Sequence, residues 1–353
     1  MSPRTLGVEE ELLLVDPDSL RPVARAGAAV AANRREEEVG HELFGHQLET
    51  STEPAVEPDD VLAQLRAGRR AVQEAARAAG AVALPLATSP LAPEVEEFTP
   101  HDRYLRFEGA FGEVAREAHV CAMHVHVGIE SREEGLRVLD GIRPWLPLLV
   151  AMSANSPYWR GHDTGFASWR TVVWGRWATT GSREPFGDAA TYDEVARSMV
   201  EWGAALDPGM LYFDARLSAH APTVEVRVAD VCLEAEDALL VAVLVRGLVS
   251  TYAGRDAEPW RADLLRAATW RAARVGLGDE LVHPLARRLA PPREVLAALL
   301  EVCGEHVDAD LVESLVEPVL ARGTGAVQQR RVHEREGDVA SVVRDLVDRI
   351  ADP

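Results

Sequence analysis

The chain has 353 residues, of which 47% are hydrophobic, and a net charge of −20; that apolar content excludes a disordered chain, and the acidic balance excludes nucleic-acid binding over a broad face, which needs basic residues to displace counterions from phosphates. It contains no lysine, so a P-loop lysine, a pyridoxal Schiff base, a lysine nucleophile and a carbamylated lysine bridging metals are all excluded. Three cysteines, Cys121, Cys232 and Cys303, lie far apart with no CxxC spacing and read as buried small hydrophobes, not as a disulfide framework or a thiolate zinc site. No secretory leader and no run of about 18 apolar residues is present, so no membrane partner is expected and the cytoplasm is the expected location. Phosphate handling, if there is any, has to rest on arginine, backbone amides and metal ions.

Residues 4–15 read as a strand ending at the Asp16-Pro17-Asp18 turn, and residues 46–52 as another. Pro58-Asp59-Asp60 opens a helix that stops at Gly80. Val82–Ala87 and residues 119–129 are further strands. Ser131 with Glu134 is a capping-box signature for the next helix, which Pro144 and Pro147 then kink or restart. Residues 155–190 are rich in Gly, Trp and Arg and lack helical period, so they read as a long functional loop region. Residues 222–231 form a strand. Beyond Glu234 the pattern is helical over 237–252, 258–275, 293–303, 308–321 and 338–350, with residues 334–338 a solvated, mobile loop. The expected fold class is α+β: one domain over 1–353, sheet-rich over 1–233 and mostly helical over 234–353.

The chemistry concentrates where polar residues stand two apart in strand-like sequence, because a strand alternates faces and residues i and i+2 point the same way. Glu9 and Glu11 share a face in this way. So do His124 and His126, and Glu225 and Arg227; Glu49 lies in a fourth such segment. Carboxylates gathered off one sheet repel each other until cations neutralise them. Hard oxygen donors suit magnesium, and an added imidazole shifts the preference toward manganese or zinc. Taken singly, each segment also fits a solvated charge run, a structural histidine pair or a surface ion pair. The span 159–177 adds Trp159, Arg160, Trp169, Arg170, Trp174, Arg176 and Trp177. The tryptophans read mainly as packing, and Arg170, preceded by small residues, is the better anion-binding candidate.

Several segments together resemble a known family. They are Gly7-Val8-Glu9-Glu10-Glu11, Gln47-Leu48-Glu49-Thr50-Ser51-Thr52, Met123-His124-Val125-His126-Val127-Gly128, Ser153-Ala154-Asn155-Ser156-Pro157, Ala167-Ser168-Trp169-Arg170, Pro222-Thr223-Val224-Glu225-Val226-Arg227 and Gly323-Thr324-Gly325-Ala326. In this order, over nearly the whole chain, they resemble the type 2 glutamate–cysteine ligases, or YbdK-like carboxylate–amine ligases. The resemblance implies a glutamine-synthetase/guanido-kinase-like catalytic domain, with a curved, mainly antiparallel sheet flanked by helices and a helical C-terminal part. It implies ATP and Mg2+ or Mn2+ as cofactors, glutamate or a similar acid and cysteine or another amine as substrates, and an acyl-phosphate intermediate. It also implies roles: Glu9, Glu11, Glu42, Glu49, His124 and Glu225 as metal ligands, Arg227 on the ATP phosphates, and Arg170, His126 and Asn155 as substrate or phosphate contacts. Ala122 and Leu217 stand where the family pattern has glycine and proline, which bears on local loop shape only.

Three other readings stay open at this stage. HxH strands also open metallohydrolase sites, though those call for more histidines and often a carbamylated lysine. A catalytically idle relative would keep the same metal or nucleotide ligands. The same ligase chemistry could serve another acid–amine pair. The apolar C-terminal helices pack either on the sheet or on a second subunit, as in a homodimer.

Overall fold

The computed structural model describes residues 3–33, 39–93 and 97–351. In chain order the elements are β1 (Leu6–Val15), α1 (Ala26–Ala32), β2 (Gly40–His41), β3 (Gln47–Ser51), α2 (Pro58–Ala78), β4 (Val82–Leu84), α3 (Asp102–Phe111), α4 (Glu113–Arg116), β5 (Ala122–Gly128), α5 (Arg132–Ile142) and α6 (Leu146–Ser153). Then follow β6 (Tyr158–Trp159), β7 (His162–Asp163), α7 (Trp169–Trp174), α8 (Ala189–Glu201), β8 (Ala215–Leu217) and β9 (Thr223–Asp230). The remainder is α9 (Ala235–Tyr252), α10 (Ala262–Val275), β10 (Leu281–Val282), β11 (Leu289–Ala290), α11 (Pro292–Cys303), α12 (Ala309–Arg322), α13 (Gly325–Glu336) and α14 (Ala340–Ala351).

The main sheet runs β2-β3-β1-β5-β9-β8, with β4 also paired to β1, and every pairing in it is antiparallel. Its registers set the chemistry: Glu11 stands opposite Glu49, Glu9 opposite His124, and Glu225 opposite both His126 and Arg216. Helices α2, α6 and α9 cover the other face. The alternation of β1 sends Glu10 to that side. There it is fully buried and accepts from the Arg69 guanidinium of α2 through Nε at 2.8 Å and Nη2 at 2.6 Å. Arg69 also donates to the Cys232 and Leu233 carbonyls, so one half-buried arginine ties β1 to the entry of α9.

The largest core cluster takes Val8 of β1, Val125 of β5, Leu65 of α2, Leu149 of α6 and most of α9 into one apolar mass, together with Val312 and Val319 of α12. Close approach is built in: a Cβ added to Gly141 would lie 2.2 Å from the Tyr252 ring, and one added to Gly247 would lie 2.1 Å from Val307. The Trp145 indole donates to the Tyr252 hydroxyl at 2.8 Å in the same seam. Among the described residues no helix is long and apolar enough to cross a membrane.

Several sequence expectations need correction. The 155–190 region contains the β6–β7 hairpin and helix α7, which starts where the Ser168 hydroxyl accepts from the Thr171 N–H. Residues 334–336 are helical. The chain leaves α13 only at Gly337, whose φ of +77° is the left-handed conformation glycine adopts at helix ends. The helix expected from 258 starts at Ala262, after Pro259. The restart at the two prolines is as expected: α5 ends at Ile142, a 3₁₀ turn spans Arg143–Trp145, and α6 follows.

We propose that the sheet-rich and helical parts form one folding unit, because the main cluster draws on both. A chain truncated after Leu233 is expected to lose cooperative unfolding in a urea titration followed by circular dichroism. A soluble fragment with a sharp transition would show separable units.

Candidate active site

A cavity of about 1110 Å³ opens on the uncovered face of the sheet. Glu9, Glu11, Glu42, Glu49, His124, His126, Arg170, Arg216, Glu225 and Arg227 all line it. Five of the six expected metal ligands converge. Glu9, Glu49 and His124 form one group and Glu11, Glu42 and Glu49 a second, with the donor atoms of each group within 4.8 Å of one another. Glu49 belongs to both because β3 places it beside Glu11, while Gly40 of β2 pairs with it from the other edge.

The charges of this cluster are strongly perturbed. Burial raises the Glu11 carboxyl, against the Ala122 N–H, which donates to its Oε2 at 2.7 Å. Burial, then the neighbouring Glu11, pushes Glu42 up to about 8. Glu49 is raised well above the carboxylate range by burial and by Glu42, Glu9 and Glu11. Glu9 behaves differently. Burial raises it, but contacts to His124 Nδ1 at 3.2 Å and His126 Nε2 at 3.3 Å hold it below the usual range. His124 is lowered to about 3, by burial and then by Arg227. A neutral imidazole beside clustered carboxylates is a donor set that fits a hard divalent cation or a pair of them. The residues therefore fit the cofactor that the resemblance implied.

Glu225 departs from its expected role. It lies directly across from Arg216 in the β8–β9 register, and Arg216 donates to both its oxygens at 2.7 and 3.1 Å, while Arg227 pairs with Oε1. Here Glu225 is the counter-ion of two arginines and joins neither cation group. Burial and Arg216 lower Arg227 to about 10, and its guanidinium sits 5.8 Å from the centre of the Tyr212 ring.

Asn155 also needs correction: it is fully buried and does not line the cavity. Its side-chain amide donates to the Pro85 and Val231 carbonyls at 2.7 and 2.9 Å, and its side-chain oxygen accepts from Gln329 of α13 at 2.7 Å. A Cβ on Gly325 would lie 2.0 Å from that oxygen, so glycine is needed where α13 passes over it. The neighbouring Asp230 explains the serine motifs. It accepts from the Asn155 N–H, the Ser156 hydroxyl and the Ser168 hydroxyl at 2.8, 2.6 and 2.7 Å. This knot holds the start of α7 against β9 and aims Arg170 into the sheet, where it donates to the Arg227 and Val228 carbonyls at 3.0 and 3.3 Å.

The two departures from the family pattern lie at Ala122 and Leu217. Ala122 serves through its backbone N–H, and Leu217 packs against α5, 2.5 Å from where a Cβ on Gly135 would sit. The three cysteines are buried, and burial raises each thiol, in keeping with small packed side chains. Sequence reasoning did not single out Arg216, Tyr104 and Tyr212, all of which line the cavity. The arginine of β8 had a signal, an isolated basic residue next to the Glu225 strand, but its pairing depends on register.

The family model for glutamate–cysteine ligase family 2 matches residues 5–345. The chain belongs to glutamate–cysteine ligase family 2. A family protein of Nocardioides sp., provisionally named glutamate–cysteine ligase 2-1, is 48% identical over 98% of this chain and 96% of its own length. Another, from Streptomyces avermitilis, is 44% identical over 98% of both chains. Among solved structures, the glutamate–cysteine ligase of Francisella tularensis in complex with AMP aligns with a TM-score of 0.71 and 12% identity, over 99% of this chain and 89% of that one. The bifunctional glutathione synthetase of Pasteurella multocida gives a TM-score of 0.73 and 16% identity, over 99% of this chain and 52% of that one. At such identities the likeness establishes the fold, which is that of these ligases.

Glu49 is common to both donor groups, so Glu49→Gln is expected to weaken Mn2+ binding at both. Manganese titration followed by electron paramagnetic resonance checks this, and unchanged stoichiometry and affinity would remove Glu49 from the site. Protons compete with the cation for Glu42 and Glu49. Wild-type Mn2+ affinity is therefore expected to rise as pH increases from 6 to about 8.

Proposed function

We propose that this chain is a cytoplasmic, ATP-dependent carboxylate–amine ligase that joins the side-chain carboxylate of glutamate to the amino group of cysteine. The observation that carries the reading is the convergence of Glu9, Glu11, Glu42, Glu49 and His124 in a cavity that Arg227 and Arg170 also line. The chain has no lysine, so arginines and cations have to meet the phosphates.

Magnesium or manganese, when bound, offsets charge on the ATP phosphates and on the phosphoryl group in transfer. Glu9, Glu11, Glu42, Glu49 and His124 would hold it. Arg227, oriented by Glu225, contacts the phosphate oxygens. Arg170, locked by two carbonyls, keeps a fixed positive charge at the floor. His126 is positioned by Glu9 and by the Thr223 hydroxyl at 3.1 Å, and contacts substrate or phosphate. In the reaction, a glutamate carboxylate oxygen attacks the γ-phosphorus and ADP leaves. The amine nitrogen then attacks the acyl carbon and phosphate leaves. Neither step needs a protein nucleophile, so rate comes from positioning and from preorganised charge.

Phosphate release from ATP with Mg2+, glutamate and a panel of amines tests this. Release that requires both acid and amine is the expected result, with cysteine the best amine. Dependence on a different pair would keep the ligase chemistry and change the substrates. ATP binding without release for any pair would favour an idle relative. Arg227→Ala is expected to raise the KM for ATP about tenfold or more, as loss of a charge-assisted contact implies; an unchanged KM would take Arg227 off the phosphates.

A further inference from the structure

A second cavity, of about 280 Å³, shares Arg170, Trp174, Tyr212 and Arg227 with the cleft. The exposed residues Arg176, Arg266 and Trp270 also line it, so it opens to solvent beside α7 and α10. Among the described residues four arginines line this volume, Arg170, Arg176, Arg227 and Arg266, against a single acid, Asp214. Asp214 is compensated from within the protein: its Oδ2 accepts from the Ser182 hydroxyl at 2.9 Å, and the charges of Arg183, Arg170 and Arg266 favour its ionised form. Positive charge is left over. Arg176 donates to Glu117 at 2.7 Å, and Arg227 pairs with Glu225. Arg170 donates only to backbone carbonyls, and Arg266 enters no hydrogen bond or salt bridge among the described residues. Asp230 and Glu11 act on Arg170 from outside the lining, and the Asp230 oxygens are already taken by Asn155, Ser156 and Ser168.

Open donors accompany the surplus charge. Arg170 is only 2% exposed, yet its Nε–H has no hydrogen-bond partner. The Arg227 Nε–H is buried and unpartnered too, as is the hydroxyl of Thr269, one turn along α10 from Arg266. A buried donor left without a partner costs free energy that a ligand recovers. These donors come from α7, β9 and α10. A carboxylate presents its two oxygens in one plane, whereas a tetrahedral oxyanion presents acceptors in several directions at once. We propose that the second cavity is an oxyanion site that takes inorganic phosphate, with Arg266 at its mouth and the Thr269 hydroxyl and Arg170 further in. One consequence rests on the ligase reading above. Phosphate is a product of that reaction, and an anion beside Arg170 and Arg227 lowers the positive potential that the same arginines present to ATP in the cleft. Product phosphate therefore slows turnover without taking the nucleotide's place.

Calorimetric titration of the full-length protein with sodium phosphate tests this, at fixed ionic strength and with Mg2+ and ADP present to fill the cleft. Arg266→Ala is expected to weaken phosphate binding about tenfold, as loss of one charge-assisted contact implies. Thr269→Val is expected to weaken it severalfold, as loss of one hydrogen bond implies. Arg197→Ala removes an exposed arginine of α8 that lines neither cavity, and is expected to leave phosphate binding unchanged. Equal losses in Arg197→Ala and Arg266→Ala would mean attraction by general charge. No loss in Arg266→Ala would mean binding elsewhere. Either result, or no phosphate binding at all, would overturn the proposal; because Arg266 is a surface residue, misfolding does not obscure that outcome. In turnover, phosphate inhibition is expected to persist at saturating ATP and to weaken in Arg266→Ala; equal inhibition of the two proteins would count against the site as well. If no acid–amine pair releases phosphate from ATP but Arg266-dependent phosphate binding persists, the ligase reading fails and the anion site stands. If turnover occurs and phosphate binding ignores Arg266, the anion site fails alone.

Discussion

Four carboxylates, Glu9, Glu11, Glu42 and Glu49, share one face of an antiparallel sheet, and the rest of the structure answers to that crowding. Moving a carboxylate out of water is costly, and placing others within a few ångströms adds repulsion. Only Glu9 is held clearly ionised by neighbouring side chains, through two imidazoles. The other three are pushed toward the protonated form by burial and by one another. Such a cluster persists because the fold around it is stabilised elsewhere, notably by the apolar mass between the sheet and α9.

The positive side of the site is built with the same economy. Arg216 and Arg227 repel each other, and Glu225 between them allows both to remain half-buried. Arg170 has no acid of its own in hydrogen-bond contact. Carbonyl oxygens hold it, with Asp230 a further source of favourable charge. A guanidinium held by carbonyls keeps most of its charge available to a ligand. An arginine paired with a carboxylate has to exchange partners first, so Arg170 and Arg227 are prepared for different work.

How much of this was legible in the sequence depends on range. Strand alternation is local, so the shared faces of Glu9 with Glu11, His124 with His126, and Glu225 with Arg227 followed from spacing alone. The missing lysine likewise fixed the means of holding phosphate. The order of motifs along the chain identified the family, and with it the fold. Register is not local. That Glu225 meets Arg216, that Glu42 reaches Glu49, and that Asn155 ends inside the core against Gln329 depend on contacts between residues seven to 174 positions apart. Short helices such as α7, and Gly337 closing α13, were missed because tertiary packing, not a sustained period, sets their limits. Sequence decided which chemical groups are present and which strand faces carry them; tertiary structure decided their partners, because a charge's partner is set by distance in space and not by separation along the chain.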